Sequence, residues 1–231
     1  MLLLCHLFVG LLIGLALYRW SGDRRMVPMA GLGGVLPDLV DKPLGHIILQ
    51  SSVDYGRIYC HGLFLVVGLL AMGAVLHRTR FALPLLALGL ALLSHQLLDM
   101  MWNEPVSWLY PLLGPYGQHH FPNYFQNGFW TEITSPSEWL FLALSGAILV
   151  RIHGAEGTLS WLIRPELDRL AHWIIRAGPA VAVLLSALLL AMSVQSVPDS
   201  PVQAQQQALL GLISLTGGLV LEEWRPSLIT R

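Results

Sequence analysis

An all-α, polytopic transmembrane helical bundle, with about six spans plus one broken or re-entrant segment, is the fold class this sequence predicts. Three observations carry it. Of 231 residues, 55% are hydrophobic and 12% charged, whereas roughly a quarter of a soluble domain is charged. The apolar residues come in runs near the ~20 that a helix needs to cross a bilayer. One alternating topology also puts every Lys and Arg of the 13, except Lys42 and Arg57, on a single side, the asymmetry that orients membrane proteins.

The elements follow in order. Residues 1–18, "MLLLCHLFVGLLIGLALY", read as a retained first span, because no basic stretch precedes the apolar run and no small-residue cleavage site follows it. Residues 26–41, "MVPMAGLGGVLPDLVD", are short for a crossing at about 24 Å as a helix. Gly31, Gly33, Gly34 and Pro37 predict a break within them, and irregular backbone survives at membrane depth only inside protein. Residues 58–76 and 81–101 are spans joined by the basic loop "HRTR", and 136–152, 177–194 and 207–221 complete the set. "GTLSWLIRPELDRLAHWIIR" (157–176) reads as an amphipathic helix on the cytoplasmic leaflet. "QAQQQ" (203–207) reads as a solvated loop. The organisation expected is a membrane core over 1–152, a connector over 153–176, and two further spans with a tail over 177–231.

Charge sets the orientation. With the N-terminus outside and 26–41 returning outward, Arg19, Arg24, Arg25, Arg78, Arg80 and the later arginines face the cytoplasm. The expected location is the cytoplasmic (inner) membrane. A net charge of −1 argues against a nucleic-acid partner. Cys5 and Cys60 are too few for a disulfide framework and read as small packing residues.

That topology brings ionisable side chains to one level. His6 lies near the outer end of the first span, Asp38 and Asp41 end the broken segment, and His61 opens the next span. In "LLSHQLLDMMWNE", His95 and Asp99 are four residues apart and share a helix face. Ionisable groups inside a membrane are costly and usually pair or serve function. Imidazole and carboxylate without thiolate suit a divalent metal, with zinc first and manganese or iron next. A buried hydrogen-bond network that fixes helix packing is the competing reading of the same residues.

The succession His6, "GGVLPDLVD" (33–41), "RIYCH" (57–61), "SHQLLD" (94–99) and "YPLLGP" (110–115) resembles the membrane-bound metal-dependent hydrolases, also called the LexA-binding inner-membrane family, over roughly residues 1–120. That family is distantly like zinc-dependent phospholipase C and the single-strand nucleases. The resemblance implies a metal site of Asp38, His61, His95 and Asp99, with His6 reaching a second ion beside Asp99. The chain departs from the family pattern at Asp41, three residues after Asp38 rather than two, and at Gly62, where a Ser is usual.

Other polar residues have weaker claims. Arg57, four residues before His61, reads as a clamp for a phosphate or carboxylate oxygen, and with Asp38 and Asp99 completes the expected catalytic set. Lys42 and His46 read as loop residues, with His46 a lesser candidate for a ligand or proton carrier. His119 and His120 sit in an aromatic loop that reads as an interfacial belt, with a cover over the site or a second metal site as the lesser readings. Glu104, Glu132 and Glu138 are possible general bases. The function expected is metal-dependent phosphoester hydrolysis of a membrane lipid or lipid-linked substrate at the outer face. The rival readings are a non-enzymatic scaffold with a structural site, and an ion- or proton-coupled transporter; clustering at one surface disfavours the transporter.

Overall fold

The computed structural model describes residues 3–153, 164–198 and 200–229. Among these residues every regular element is helical. The chain divides into two units, Met1–Thr134 and Ser135–Arg231.

The first unit holds α1 (Leu3–Ser21), α2 (Met26–Pro43), a π-helical turn (Leu44–Ile48), α3 (Leu63–Val75), α4 (Ala82–Leu98), the short α5 (Pro105–Trp108) and α6 (Tyr124–Thr134). Helices α1, α2 and α4 pack against one another, and α3 packs on α4.

The expected break over 26–41 is absent: α2 is one continuous helix through Pro43. Its glycines are contact points. A Cβ on Gly33 would collide with the Leu88 carbonyl of α4, and one on Gly34 with the His6 carbonyl of α1. Across the same seam, a Cβ on Gly10 would stand 2.5 Å from the Ala30 carbonyl oxygen. Small residues that let backbones approach are a hallmark of helix association in lipid. The packing gained outweighs the roughly 1 kcal/mol that each glycine costs a helix.

The second unit holds α7 (Pro136–His153), α8 (Pro165–Ser196) and α9 (Pro201–Ile229), with α8 packed on both others. Arg151, 6% exposed, donates to the Leu228 and Ile229 carbonyls at 2.8 and 3.0 Å and pairs with Asp168. It thereby satisfies carbonyls that the end of a helix leaves without partners. The expected spans 177–194 and 207–221 fall inside α8 and α9. Residues 157–163 of the expected amphipathic helix lie outside the described residues, and from Pro165 the chain runs unbroken into α8. "QAQQQ" is not a loop: it forms part of the first turns of α9, with Gln203, Gln205 and Gln206 exposed.

Among the described residues three helices, α1, α8 and α9, are long and apolar enough to cross a membrane, and counting α6 and α7 as one broken span makes four. The other two expected spans are shorter helices of 13 and 17 residues, α3 and α4. The causes are local. Residues 58, 60 and 61 give their backbone N–H groups to the Asp41 carboxylate, so the helix cannot begin before Leu63. At the other end, Met100 takes a left-handed conformation (φ 52°) that terminates α4.

The glycine seam is open to test. Gly33→Val should destabilise the purified protein by about 1–3 kcal/mol, the usual cost of overpacking. Gly68→Ala, where a Cβ meets nothing within 4 Å, should leave the melting temperature unchanged or raise it. Thermal denaturation of both variants in detergent checks the pair.

Candidate metal centre

Four side chains meet between α1, α2, α4 and the loop before α3. Asp38, His61, His95 and Asp99 are all buried and offer ligand atoms within 4.8 Å of one another. His95 Nε2 stands 3.1 Å from His61 Nε2. Asp38 Oδ1 is 3.7 Å from His61 Nε2 and 3.8 Å from His95 Nε2, and Asp99 Oδ2 is 3.9 Å from His61 Nε2. An ion with bonds of ~2.0–2.1 Å in tetrahedral geometry sets its ligand atoms about 3.3 Å apart. The separations given run from 3.1 to 3.9 Å and all four ligand atoms lie within 4.8 Å, so the cluster is wider than that spacing at most pairs and would close on an ion by small side-chain movements.

The imidazole tautomers follow from the partners. His95 Nδ1 meets the Gly34 carbonyl at 2.7 Å, and a carbonyl only accepts. His61 Nδ1 meets Asp41 Oδ2 at 2.8 Å, and a carboxylate only accepts. Both Nδ1 atoms therefore carry the proton. In neutral rings the two Nε2 atoms then face each other as lone pairs, with the buried Asp38 Oδ1 making no hydrogen bond beside them. Three electron-rich atoms converge there, a donor set that suits a cation.

Asp41 is the residue that sequence reasoning placed least well. It is fully buried, orients the His61 ring, and accepts N–H groups from Ile58, Cys60 and His61 at 2.9–3.1 Å. A carboxylate behind a histidine ligand fixes the ring and raises its basicity. Lys42, expected in a loop, is on the last turn of α2 and pairs with Asp38 Oδ2 at 2.6 Å. Asp38, Asp41 and Lys42 occupy i, i+3 and i+4 of one helix, a face that becomes legible only once 26–43 is seen as continuous.

His6 stands outside the group of four. Its Nε2 is 3.2 Å from Asp99 Oδ1, and its ring stacks on His95 at 3.9 Å between centroids. Arg57 Nη2 meets the other oxygen, Asp99 Oδ2, at 3.2 Å. Burial opposes the Arg57 charge, but Asp99, Tyr55 and Glu104 outweigh it and hold its pKa above the ordinary value. Cys60, its thiol pushed up to about 12 by burial and by Asp41, is a neutral thiol.

Beside the four lies a polar chamber of about 320 Å³, lined by Lys42, His46, Tyr55, Arg57, Asp99, Glu104 and Tyr124 among others. An apolar groove of about 700 Å³ shares Lys42, Phe121 and Tyr124 with it and continues past Leu39, Phe125 and Phe129. Glu104 lines the chamber, Glu132 accepts the Leu3 N–H at 2.8 Å, and Glu138 lies on α7 in the second unit. His119 stacks on Tyr55, and His120 is exposed with Nδ1 3.8 Å from Asp54. Neither belongs to the group of four.

Fold and site together define a helical membrane protein with a buried His/Asp cluster suited to a metal ion. The chain belongs to the YdjM inner membrane protein family, whose model matches residues 1–197, and this places it in the inner membrane. No curated protein and no solved structure matches the chain.

Asp54 supplies a pH test of the chamber wall. The Phe121 N–H at 2.9 Å, then His46 at 2.8 Å, hold its pKa below the ordinary carboxylate value. A carboxyl depressed on folding stabilises above its unfolded pKa of about 3.9 and loses that contribution as pH falls through the folded value. Exchange of the Phe121 amide should therefore stay slow from neutral pH down to about 4 and gain an extra acceleration below it. Asp54→Asn should remove that acid step.

Proposed function

We propose that this protein is a membrane-embedded, metal-dependent hydrolase that cleaves a phosphoester bond of a lipid or lipid-linked substrate. The observation that carries the reading is the pair of Nε2 atoms 3.1 Å apart, each ring already committed at Nδ1, beside the unpartnered Asp38 Oδ1. Asp38, His61, His95 and Asp99 would hold one divalent ion; zinc suits two nitrogens and two oxygens at tetrahedral spacing, and manganese or iron also accept this set. Such an ion polarises a phosphoryl oxygen and lowers the pKa of a water toward about 7.

The chain's own groups do the rest. Asp41 and the Gly34 carbonyl fix the two imidazoles. The contact of His6 Nε2 with Asp99 Oδ1 supports one ion rather than two, with His6 as a brace for Asp99. Lys42 pairs with the outer oxygen of Asp38, Arg57 pairs with Asp99 Oδ2, the oxygen that also faces His61, and both cations line the chamber, so a phosphate there meets two cations. The adjoining groove, apolar and larger than the chamber, matches a hydrocarbon chain. A purely structural metal has no use for an open chamber at its ligands, which favours the enzyme over the scaffold.

Elemental analysis of purified protein should find bound metal in the wild type and none after His95→Ala or Asp99→Ala; unchanged content in both would sink the reading. Asp41→Asn should weaken metal affinity by about 10–100-fold. Chelation should lower the melting temperature, because an ion at 100 times its Kd contributes about 2.7 kcal/mol. Metal-loaded protein that releases no phosphate or headgroup from any phospholipid would leave the scaffold standing instead.

A further inference from the structure

A second histidine–carboxylate pair, His46 with Asp54, stands at the chamber that His46 lines, and the metal cluster does not use it. We propose that His46 and Asp54 form a proton-transfer dyad, in which His46 Nε2 protonates the leaving oxygen of the substrate and Asp54 positions the ring. The proposal rests on the phosphoesterase reading above.

Several independent features build the pair. His46 is on the π-helical turn that follows α2, a local form that recurs at functional sites. Its Nδ1 donates to Asp54 Oδ1 at 2.8 Å, both residues are buried, and Asp54 Oδ2 is anchored by the Phe121 N–H at 2.9 Å. Asp54 holds a left-handed backbone (φ 43°), and non-glycine residues kept there cluster at sites where the strain serves a purpose. The imidazole lies flat on Tyr124, with centroids 3.7 Å apart. Because the carboxylate fixes the proton on Nδ1, Nε2 is the exchangeable position. Gly56 keeps it approachable: a Cβ there would stand 2.8 Å from Nε2. Tyr124 thus holds the ring on its face and Asp54, itself anchored by the Phe121 N–H, holds it at the Nδ1 edge, while Nε2 is left to the chamber.

The groups around Nε2 are mixed in charge. Lys42 and Arg57 are cationic, Asp99 and Glu104 anionic, Tyr55 and Tyr124 phenolic, and His120 reaches the second oxygen of Asp54 at 3.8 Å. A phosphate held by Lys42 and Arg57 adds negative charge beside Nε2 and favours its protonated form. In the hydrolysis, the bond from a water oxygen to phosphorus forms as the bond from phosphorus to the leaving oxygen breaks. The proton on Nε2 passes to that leaving oxygen. The proton lost by the water reaches solvent, and the neutral imidazole takes one back before the next turnover.

Two substrates with one chain separate the roles: methyl dodecyl phosphate, whose alkoxide must be protonated, and para-nitrophenyl dodecyl phosphate, whose phenolate leaves unaided. His46→Asn keeps a side-chain donor to Asp54 but has nothing at the Nε2 position. It should lose about 100-fold or more in kcat/KM on the methyl ester and about 5-fold or less on the nitrophenyl ester, with bound metal unchanged. The alkaline limb of the methyl-ester pH profile should disappear with it. Equal losses on both esters, or none, overturn the dyad and leave the hydrolase reading intact; a wild type inert toward both overturns the hydrolase reading and the dyad with it. A readout independent of turnover is the histidine NMR of metal-free protein. At constant pH, inorganic phosphate should shift the ring resonance that His46→Asn removes. An unmoved resonance shows that Nε2 does not face the anion and overturns the assignment.

Discussion

The structure turns on two imidazole nitrogens that face each other without a proton to share. Each ring is committed at its far side, one to a backbone carbonyl and one to a carboxylate, so neither can flip its tautomer without losing a buried hydrogen bond. A single added proton would reconcile the two nitrogens, but Asp38 Oδ1, at 3.7 and 3.8 Å, would still have no donor. Leaving a buried carboxylate oxygen unsatisfied is costly. One divalent ion answers all four atoms at once, which is why the arrangement favours metal over a proton-bridged pair.

That convergence depends on how closely three helices approach. The carbonyl that holds His95 belongs to Gly34, and Gly34 has no side chain because the His6 backbone occupies that space. Gly33 meets α4 and Gly10 meets α2 in the same way. Packing and chemistry are therefore one construction: the glycines that bring α1, α2 and α4 together also bring His6, Asp38 and His95 to one point. Widening the seam by a methyl group would move ligands whose mutual distances matter at the scale of tenths of an ångström.

The sequence made part of this legible. His95 and Asp99 announce themselves by spacing, since four residues on a helix is one stacked turn, and His6, Asp38 and His61 stand out as ionisable groups in apolar surroundings. What misled was glycine. Gly31, Gly33 and Gly34 read as helix breakers by propensity, which measures a helix alone in water and not one pressed against two others. That one reading hid the face shared by Asp38, Asp41 and Lys42. The lengths of α3 and α4 were hidden for a different reason: hydropathy does not register that Asp41 draws residues 58–61 out of helical hydrogen bonding, or that Met100 turns left-handed. The pairing of His46 with Asp54 and Phe121 had no local signal, because it is closed by a loop and a distant amide.

Charge balance links the centre to the chamber. Asp38, Asp41 and Asp99 place three carboxylates in a small buried volume, and a divalent ion alone would leave one charge over. Lys42 sits on Asp38 Oδ2 and Arg57 on Asp99 Oδ2, so they counter that excess while remaining partly exposed, at 26% and 32% of their side-chain surface. A cation that is both buried enough to hold a ligand carboxylate and open enough to meet an anion couples the two sites. Under the proposed function, an arriving phosphate would compete for the same donors and loosen their hold on the carboxylates. The apolar groove beyond Lys42 would then favour phosphates that carry a hydrocarbon chain, because only they gain from filling it.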